Sequence, residues 1–120
     1  MTASDITILT GTTKGVFLIS GDANRSSWSV SGPHCDSWPI NHVVGDPESG
    51  TLWAGGGGDW NGAGVWRSED GGTSWDLVKL TRGTIDDWAQ SDADFAQMIG
   101  WTDAPLPFEG FSQIWSLAYA

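Results

Sequence analysis

The stretch Ser68-Glu69-Asp70-Gly71-Gly72-Thr73-Ser74-Trp75 predicts a tight hairpin turn that leads into a β-strand. The carboxylate of Asp70 can accept backbone N–H bonds inside such a turn, and the two glycines after it can take positive φ angles without a Cβ clash. The serines near each end of the stretch add hydroxyl groups. Trp75 then carries a large apolar ring at the start of the next strand, where we expect it to pack into the core.

A degenerate copy of this turn is found earlier in the chain. Trp28-Ser29-Val30 is similar to Trp75-Asp76-Leu77-Val78, and the two tryptophans are 47 residues apart. The turn before Trp28 is longer and irregular, yet it keeps an aspartate, a serine and the final tryptophan. A repeat of forty-odd residues is typical of the blades of a β-propeller. We therefore expect Trp28 and Trp75 to be core residues of two equivalent hairpins.

Alternating apolar residues between turn signals predict strands in three groups. Residues 6–31 form a first group of three strands, residues 39–80 a second group of four, and residues 113–120 the start of a third. The predicted strands are Ile6–Thr10, Gly15–Ile19, Trp28–Ser31, Ile40–Gly45, Thr51–Ala54, Ala63–Ser68, Trp75–Leu80 and Ile114–Tyr119. The fold class predicted for the chain is all-β.

Residues 81–112 are predicted to be a loop insertion between the second and third groups. Ile40–Val44 is similar to Ile114–Ala118 at an offset of 74 residues, which exceeds the 47-residue repeat and leaves room for such a segment. Within it, Ser91 to Ile99 fits one short amphipathic helix capped by Ser91. The apolar residues at helical spacing are Phe95, Met98 and Ile99.

The composition limits the partners that the chain can bind. Its 120 residues carry a formal net charge of −10, with five basic residues against fifteen acidic ones. Nucleic acids and anionic membranes are bound by clustered Lys and Arg, so neither is an expected partner. Nine tryptophans are a strong enrichment. We expect some of these rings to pack the hairpins and others to stack on a ligand, for which neutral carbohydrate is the expected chemistry.

The chain shows no pattern typical of export. Met1–Asp5 lacks the basic and apolar regions of a signal peptide, so a cytoplasmic location is expected. The longest aliphatic run, Val16–Ile19, is far too short to span a bilayer. Cys35 is the single cysteine, which leaves no partner for an intramolecular disulfide.

Several stretches together resemble bacterial BNR-repeat, or Asp-box, proteins of the sialidase-like glycosyl hydrolase type. These stretches are Gly32–His34, Trp38–Pro47, Thr51–Gly56, Val65–Gly72 and Ile114–Tyr119. The resemblance implies an Asp-box β-propeller, here incomplete, with about two four-stranded blades and the first strand of a third out of about seven. It also implies that the structural residues of the turn are Ser68, Asp70, Gly72, Ser74 and Trp75.

The resemblance further implies that the chain is the N-terminal fragment of a carbohydrate-directed parent protein and is inactive alone. The first blade lacks its innermost strand and the third stops after one, so the expected partners are the remaining blades of the parent or further copies of the chain. Because the same propeller also serves as a scaffold, a non-catalytic binding role is the alternative. Sialidase activity is not expected, because none of the three arginines lies in the motif of the sialidase arginine triad. These are Arg25, Arg67 and Arg82.

Five residues are candidate ligand contacts, namely Asp59, Trp60, His42, Trp88 and Trp101. Asp59 and Trp60 follow the glycine run Gly55–Gly58 in a predicted loop, where an acid beside an exposed ring suits the hydroxyls and face of a sugar. Two tryptophans of the insertion lie outside the repeat positions and are also free to stack. His42 lies on a predicted innermost strand, where it either lines a channel or packs in the core.

No catalytic residue can be assigned from the sequence. A glycosidase needs two carboxylates across a cleft, and any one carboxylate of the chain can instead be a solvated loop residue. The candidates are Asp59, Asp86, Asp87, Asp92, Asp94, Asp103 and Glu109. His34, Cys35 and His42 lack a fourth zinc ligand. Neither a metal nor a cofactor is therefore predicted.

Overall fold

Residues 6–118 are described by a computed structural model and form seven strands and two short helices. The strands are β1 (Ile6–Thr12), β2 (Gly15–Gly21), β3 (Trp28–His34), β4 (Ile40–Gly45), β5 (Leu52–Gly58), β6 (Gly62–Ser68) and β7 (Asp76–Lys79). The helices are α1 (Thr84–Ser91) and α2 (Ala93–Ile99). The chain is thus mostly β, in line with the predicted class, and part of the predicted strand Ile114–Tyr119 lies outside the described residues.

The strands pair in chain order into two antiparallel sheets. The first sheet has the order β1-β2-β3 and the second has the order β4-β5-β6-β7. They correspond to the first two predicted groups of strands, with shifted ends. β4 spans Ile40–Gly45 as predicted, whereas β5 continues past Ala54 to Gly58. β1 and β2 contact β4, so the two sheets pack against each other along this side.

The main core lies between the two sheets. Val16 and Leu18 of β2 are buried there together with Leu52 of β5 and Trp66 of β6. Trp38, in the connection between the sheets, packs edge-to-face on Trp66 with ring centroids 5.6 Å apart. Residues at i and i+2 of a strand share a face, so the alternating apolar pattern delivers these side chains to one interface. Full burial of each side chain of this size stabilises the folded state by about 1.5–3 kcal/mol.

The two repeat tryptophans differ in burial. Trp75 is half-buried and packs against the core, as expected. Trp28 is 45% exposed, so the prediction that it is a core residue is wrong. Its strand neighbour Val30 pairs with Ile19, and this face of the first sheet points away from the second sheet. Among the described residues no third sheet covers that face, whereas the equivalent face of the second sheet packs on the first.

The turn at Asp70 has the predicted acceptor bond of the Asp70 carboxylate and several further hydrogen bonds. Its Oδ1 accepts the backbone N–H of Ser74 at 2.9 Å, and its Oδ2 accepts the Ser74 hydroxyl. The Ser68 hydroxyl donates to Asp70 at 2.8 Å and accepts the N–H of Gly72. The indole Nε1 of Trp75 donates to the carbonyl of Gly72 at 3.0 Å. All five motif residues therefore act together to hold the hairpin closed.

The degenerate copy of the turn keeps the central contact. Asp22 accepts the N–H of Ser26 on one oxygen at 2.8 Å and the hydroxyl of Ser26 on the other at 2.7 Å. The indole Nε1 of Trp28 donates to the carbonyl of Arg25 at 3.1 Å, as the indole of Trp75 does in its own turn. The aspartate–serine pair is thus the element that the two turns share.

Acid is expected to weaken the Asp70 turn. The hydroxyl and backbone N–H of Ser74 and the hydroxyl of Ser68 lower the pKa of Asp70 from 3.8 to about 2. A lowered native-state pKa means that these bonds add stability above about pH 4, and that this contribution is lost as the pH falls through about 2. The urea midpoint of the wild type should therefore fall towards that of Asp70→Asn between about pH 5 and pH 2. A difference in urea midpoint between the two proteins that stayed constant with pH would contradict this. Asp103→Asn, which removes an exposed carboxylate outside the turn, serves as the control.

The insertion holds two helices rather than one. α1 ends at Ser91, whose hydroxyl donates to the carbonyls of Asp87 and Trp88 instead of capping a helix. Asp92 caps α2, and its Oδ1 accepts the N–H groups of the second and third residues after it at 3.1 Å. The prediction of Ser91 as the cap is therefore wrong, because Ser91 ends α1 and the carboxylate of Asp92, one residue later, takes this role. The expected apolar face is also open, since Met98 is 76% exposed.

Residues 113–118 form no strand in the described chain. Gln113 makes one isolated bridge to Gly57, and the N–H of Ile114 donates to the carbonyl of Gly56. The Asn41 side chain donates to Gln113 and Ile114, which fixes the segment by side-chain contacts rather than by a ladder of backbone bonds. Over residues 114–118, the described part of the predicted strand Ile114–Tyr119, no strand forms. No helix within residues 6–118 is long and apolar enough to cross a membrane.

Candidate functional site

The β5–β6 hairpin positions the start of α1. The carbonyl of Asp59 accepts the N–H of Thr84 at 2.9 Å and its hydroxyl at 3.1 Å. The carbonyl of Trp60 accepts the N–H of Ile85 at 2.9 Å. Backbone N–H groups in the first turn of a helix have no partner within the helix, so the hairpin satisfies them. The tip of the hairpin and the helix are therefore joined into one unit.

An aromatic ridge lies on the surface of this unit, formed by Trp60, Trp88 and Phe95. The rings of Trp60 and Trp88 meet edge-to-face with centroids 5.8 Å apart, and Trp88 meets Phe95 in the same way at 6.1 Å. Trp60 is 44% exposed and Trp88 is 58% exposed, so both keep a large area in contact with solvent. The structure therefore brings together two of the predicted ligand contacts. Phe95, which was predicted to lie on the apolar face of a helix, also belongs to the ridge, although it was not predicted to contact a ligand.

Asp59 is the carboxylate residue that precedes the ridge in the chain. It precedes Trp60 directly in the chain, and its side chain is exposed. The Asp59 carbonyl is fixed by Thr84, so the backbone that carries the acid is held in place. An ionised carboxylate is a pure hydrogen-bond acceptor and can take two hydroxyl donors at once. Asp59 can therefore accept hydrogen bonds from hydroxyl groups of a bound molecule.

Trp101 does not join the ridge. Its indole Nε1 donates to Oδ1 of Asp86 at 3.0 Å, and its ring is half-buried. The same carboxylate accepts the N–H of Gly83 at 2.7 Å and the ammonium of Lys79 at 2.6 Å. Burial would by itself raise the pKa of Asp86, but the bonds from Lys79, Gly83 and Trp101 outweigh it and lower the pKa. This buried cluster ties the insertion to β7.

His42 is also part of the scaffold. Its Nδ1 accepts the backbone N–H of Leu117 at 2.7 Å, and the side chain is half-buried. The contact assigns the acceptor role to Nδ1, which leaves Nε2 as the protonated nitrogen in the neutral ring. His42 therefore holds residues 113–118 against β4. It lies apart from the ridge residues in the chain and shares no described contact with them.

The glycine run is a strand rather than the predicted loop. Gly55, Gly56 and Gly57 belong to β5, and close backbone contacts account for the small residues. A Cβ on Gly56 would lie 2.0 Å from the carbonyl oxygen of Pro39, and one on Gly57 would lie 2.0 Å from that of Gly62. Only Gly58 in the run has open space around its Cα. The run therefore serves chain packing, and ligand access is limited to its end beside Asp59.

The remaining candidate carboxylates are spread over separate roles. Asp86 is held in the buried cluster, Asp87 pairs with Arg82 at 3.0 Å, and Asp92 caps α2. Asp94, Asp103 and Glu109 are exposed. Within the described part of the chain, no group of three or more His, Cys, Asp or Glu side chains could hold a metal ion. Asp86, Asp87 and Asp92 are therefore each engaged by other groups of the chain.

Comparison with known proteins adds no assignment. No family model matches the chain, and no curated protein matches it. The site residues must therefore be judged on their own geometry.

Proposed function

We propose that this chain binds neutral carbohydrate on the aromatic ridge and belongs to an Asp-box propeller of the glycosyl-hydrolase type. The single observation that carries the binding proposal is the pair of exposed rings, Trp60 and Trp88, locked edge-to-face at 5.8 Å. A ring that is already held in place loses little conformational entropy when a ligand stacks on it. The repeated aspartate–serine turns and the two packed antiparallel sheets support the propeller part of the proposal.

The charge of the chain selects the kind of sugar. A formal net charge of −10 repels anionic sugars, and the carboxylate of Asp59, which precedes Trp60 in the chain, is itself an acceptor of hydrogen bonds. Hydroxyl groups are donors that suit Asp59, while the apolar face of a sugar ring suits the indoles. Neutral oligosaccharides satisfy both conditions and avoid the repulsion that the carboxylate of sialic acid would meet.

A scaffold without catalysis is the second candidate, and one observation favours it. Asp86, the most buried carboxylate of the insertion, is fully engaged by Lys79, Gly83 and Trp101. Proton transfer to a substrate would require the carboxylate to be protonated, which the lowered pKa opposes. On the scaffold hypothesis the chain binds a glycan and contributes no acid or base to its cleavage.

Calorimetric titration with neutral hexasaccharides of glucose and xylose tests the binding proposal. Trp60→Ala and Trp88→Ala should each weaken binding by about threefold to tenfold, because an aromatic contact contributes about 0.5–1.5 kcal/mol beyond its buried area. Trp115→Ala is the matched control, since Trp115 is 72% exposed and lies outside the ridge. Absence of binding by the wild type, or equal losses in all three variants, would refute the assignment. Turnover of these sugars would refute only the scaffold hypothesis.

A further inference from the structure

A wide groove opens between the two sheets at the end that carries both aspartate–serine turns. Its volume is about 1240 Å³. Apolar side chains form part of its wall, among them Leu9 and Leu18 from the first sheet and Leu52 from the second. Leu18 and Leu52 belong to the core, so the groove is the point at which the core meets solvent. None of the ridge residues lines it, and the groove is a separate surface.

Hydroxyl groups line the side of the groove that the first sheet provides. Ser20 of β2 pairs with Ser29 of β3, and Leu18 pairs with Ser31, so these residues share the face that looks towards the second sheet. Ser29 and Ser31 are exposed. A polar row beside apolar side chains can meet the backbone and the aliphatic stems of an extended chain at the same time.

The charges around the groove have one sign. Asp22 and Asp70 come from the two turns, and Asp46 and Glu48 come from the β4–β5 connection. None of the described residues that line the groove is Lys, Arg or His. The serine bonds lower the pKa of both turn aspartates, so these two carboxylates stay ionised throughout the neutral range. Four carboxylates around an apolar wall are complementary to a cationic, partly apolar partner.

We infer that this groove binds a basic segment of a partner protein in which Lys or Arg alternates with aliphatic residues. The aliphatic side chains of such a segment would contact the half-buried Leu9 where the core meets solvent, and its cationic groups would face the carboxylates at the rim. Lysine and arginine stems also cover apolar surface while their charged ends remain hydrated, which fits a groove that is open along its length. The inference does not depend on the carbohydrate proposal.

Fluorescence anisotropy with a labelled, end-capped peptide of three Lys-Leu repeats tests the inference. The wild type should bind this peptide and should not bind the corresponding Glu-Leu peptide. Ser29→Lys adds a long cationic side chain to the wall of the groove and should weaken binding at least about tenfold. Val30→Lys is the matched control, because Val30 is the next residue, is 65% exposed and lies on the opposite face of β3. It should weaken binding by less than about twofold.

A second pair of variants distinguishes attraction of the peptide by the rim of the groove from attraction by the net negative charge of the whole chain. Glu48→Gln at the rim should weaken peptide binding by about twofold to fivefold, as is usual for one exposed charge pair. Glu109→Gln removes the same charge from an exposed residue that does not line the groove, and it should have no measurable effect. Equal losses for the members of either pair, or equal binding of both peptides, would overturn the inference. If the wild type did not bind the peptide but associated with itself, and Ser29→Lys abolished this association, the inference would be overturned and the groove would be assigned to a second copy of the chain.

Discussion

Replacing Asp86 with alanine is expected to lower the free energy of unfolding by about 3 kcal/mol, since removal of one partner of a buried ion pair leaves the other charge uncompensated. The side chain of Asp86 is only 6% exposed, and it accepts bonds from Lys79, Gly83 and Trp101. Lys79 keeps 22% of its side chain in solvent, which places the expected cost at the low end of the range for such pairs. Urea unfolding followed by far-ultraviolet circular dichroism measures the change.

Two further variants make this result specific. Asp87→Ala removes the neighbouring carboxylate, which pairs with Arg82 on the surface, and should cost less than about 1 kcal/mol. Adding Lys79→Met to Asp86→Ala removes the stranded ammonium and should restore part of the lost stability. If Asp86→Ala and Asp87→Ala proved equally mild, the buried cluster would not be the link between the insertion and β7.

The second large effect is expected at Gly57 in β5. A Cβ at this position would lie 2.0 Å from the carbonyl oxygen of Gly62, and the residue has a φ angle of +117°. Backbone atoms of a paired strand cannot move aside as a flexible side chain can, and the conformation is one that other residues rarely adopt. Gly57→Ala should therefore lower the free energy of unfolding by roughly 3 kcal/mol or more, through overpacking and backbone strain together.

Gly58 provides the matched control for this prediction. It is the next residue in the same strand, and nothing lies within 4 Å of a Cβ built on it. Gly58→Ala should change the free energy of unfolding by no more than about 0.5 kcal/mol, as is usual for a surface position. Thermal and urea unfolding of both variants provide the comparison. Similar stabilities for the two proteins would show that the close contact between Gly57 and Gly62 does not constrain the sheet.

Local patterns in the sequence predicted the elements whose stabilising contacts are also local. The turn at Asp70 is complete within the stretch from Ser68 to Trp75, so the acceptor role of Asp70 could be inferred from residue order alone. The bonds of the Ser68 hydroxyl and of the Trp75 indole were added by the structure. Strand positions followed from alternation in the same way. The cap of α2 was misplaced by one residue, because Ser91 and Asp92 are both favourable caps and the choice depends on where α1 ends.

The candidate site was only partly predictable for a related reason. Trp60 and Trp88 were both expected to be ligand contacts, but nothing in their spacing indicated that the rings touch. Their contact arises because the hairpin carbonyls of Asp59 and Trp60 bind the start of α1. Trp101 was expected to behave like Trp88, yet its N–H is bound to a buried carboxylate. Contacts between distant segments thus placed Trp60 and Trp88 in the ridge and bound Trp101 to the buried cluster.

By itself, the sequence determined the β-rich class, the approximate positions of the seven strands and the acceptor role of Asp70 in its turn, since these depend on residues close together in the chain. The tertiary structure decided the exposure of Trp28, the packing role of the glycines in β5 and the irregular backbone of residues 114–118. These outcomes depend on contacts between distant segments, such as the carbonyl oxygens that approach the β5 glycines and the Asn41 side chain that holds Gln113 and Ile114; among residues 6–118, no further sheet covers the face that carries Trp28. Residue order does not encode such distances directly, because one pattern of apolar residues is compatible with several partners.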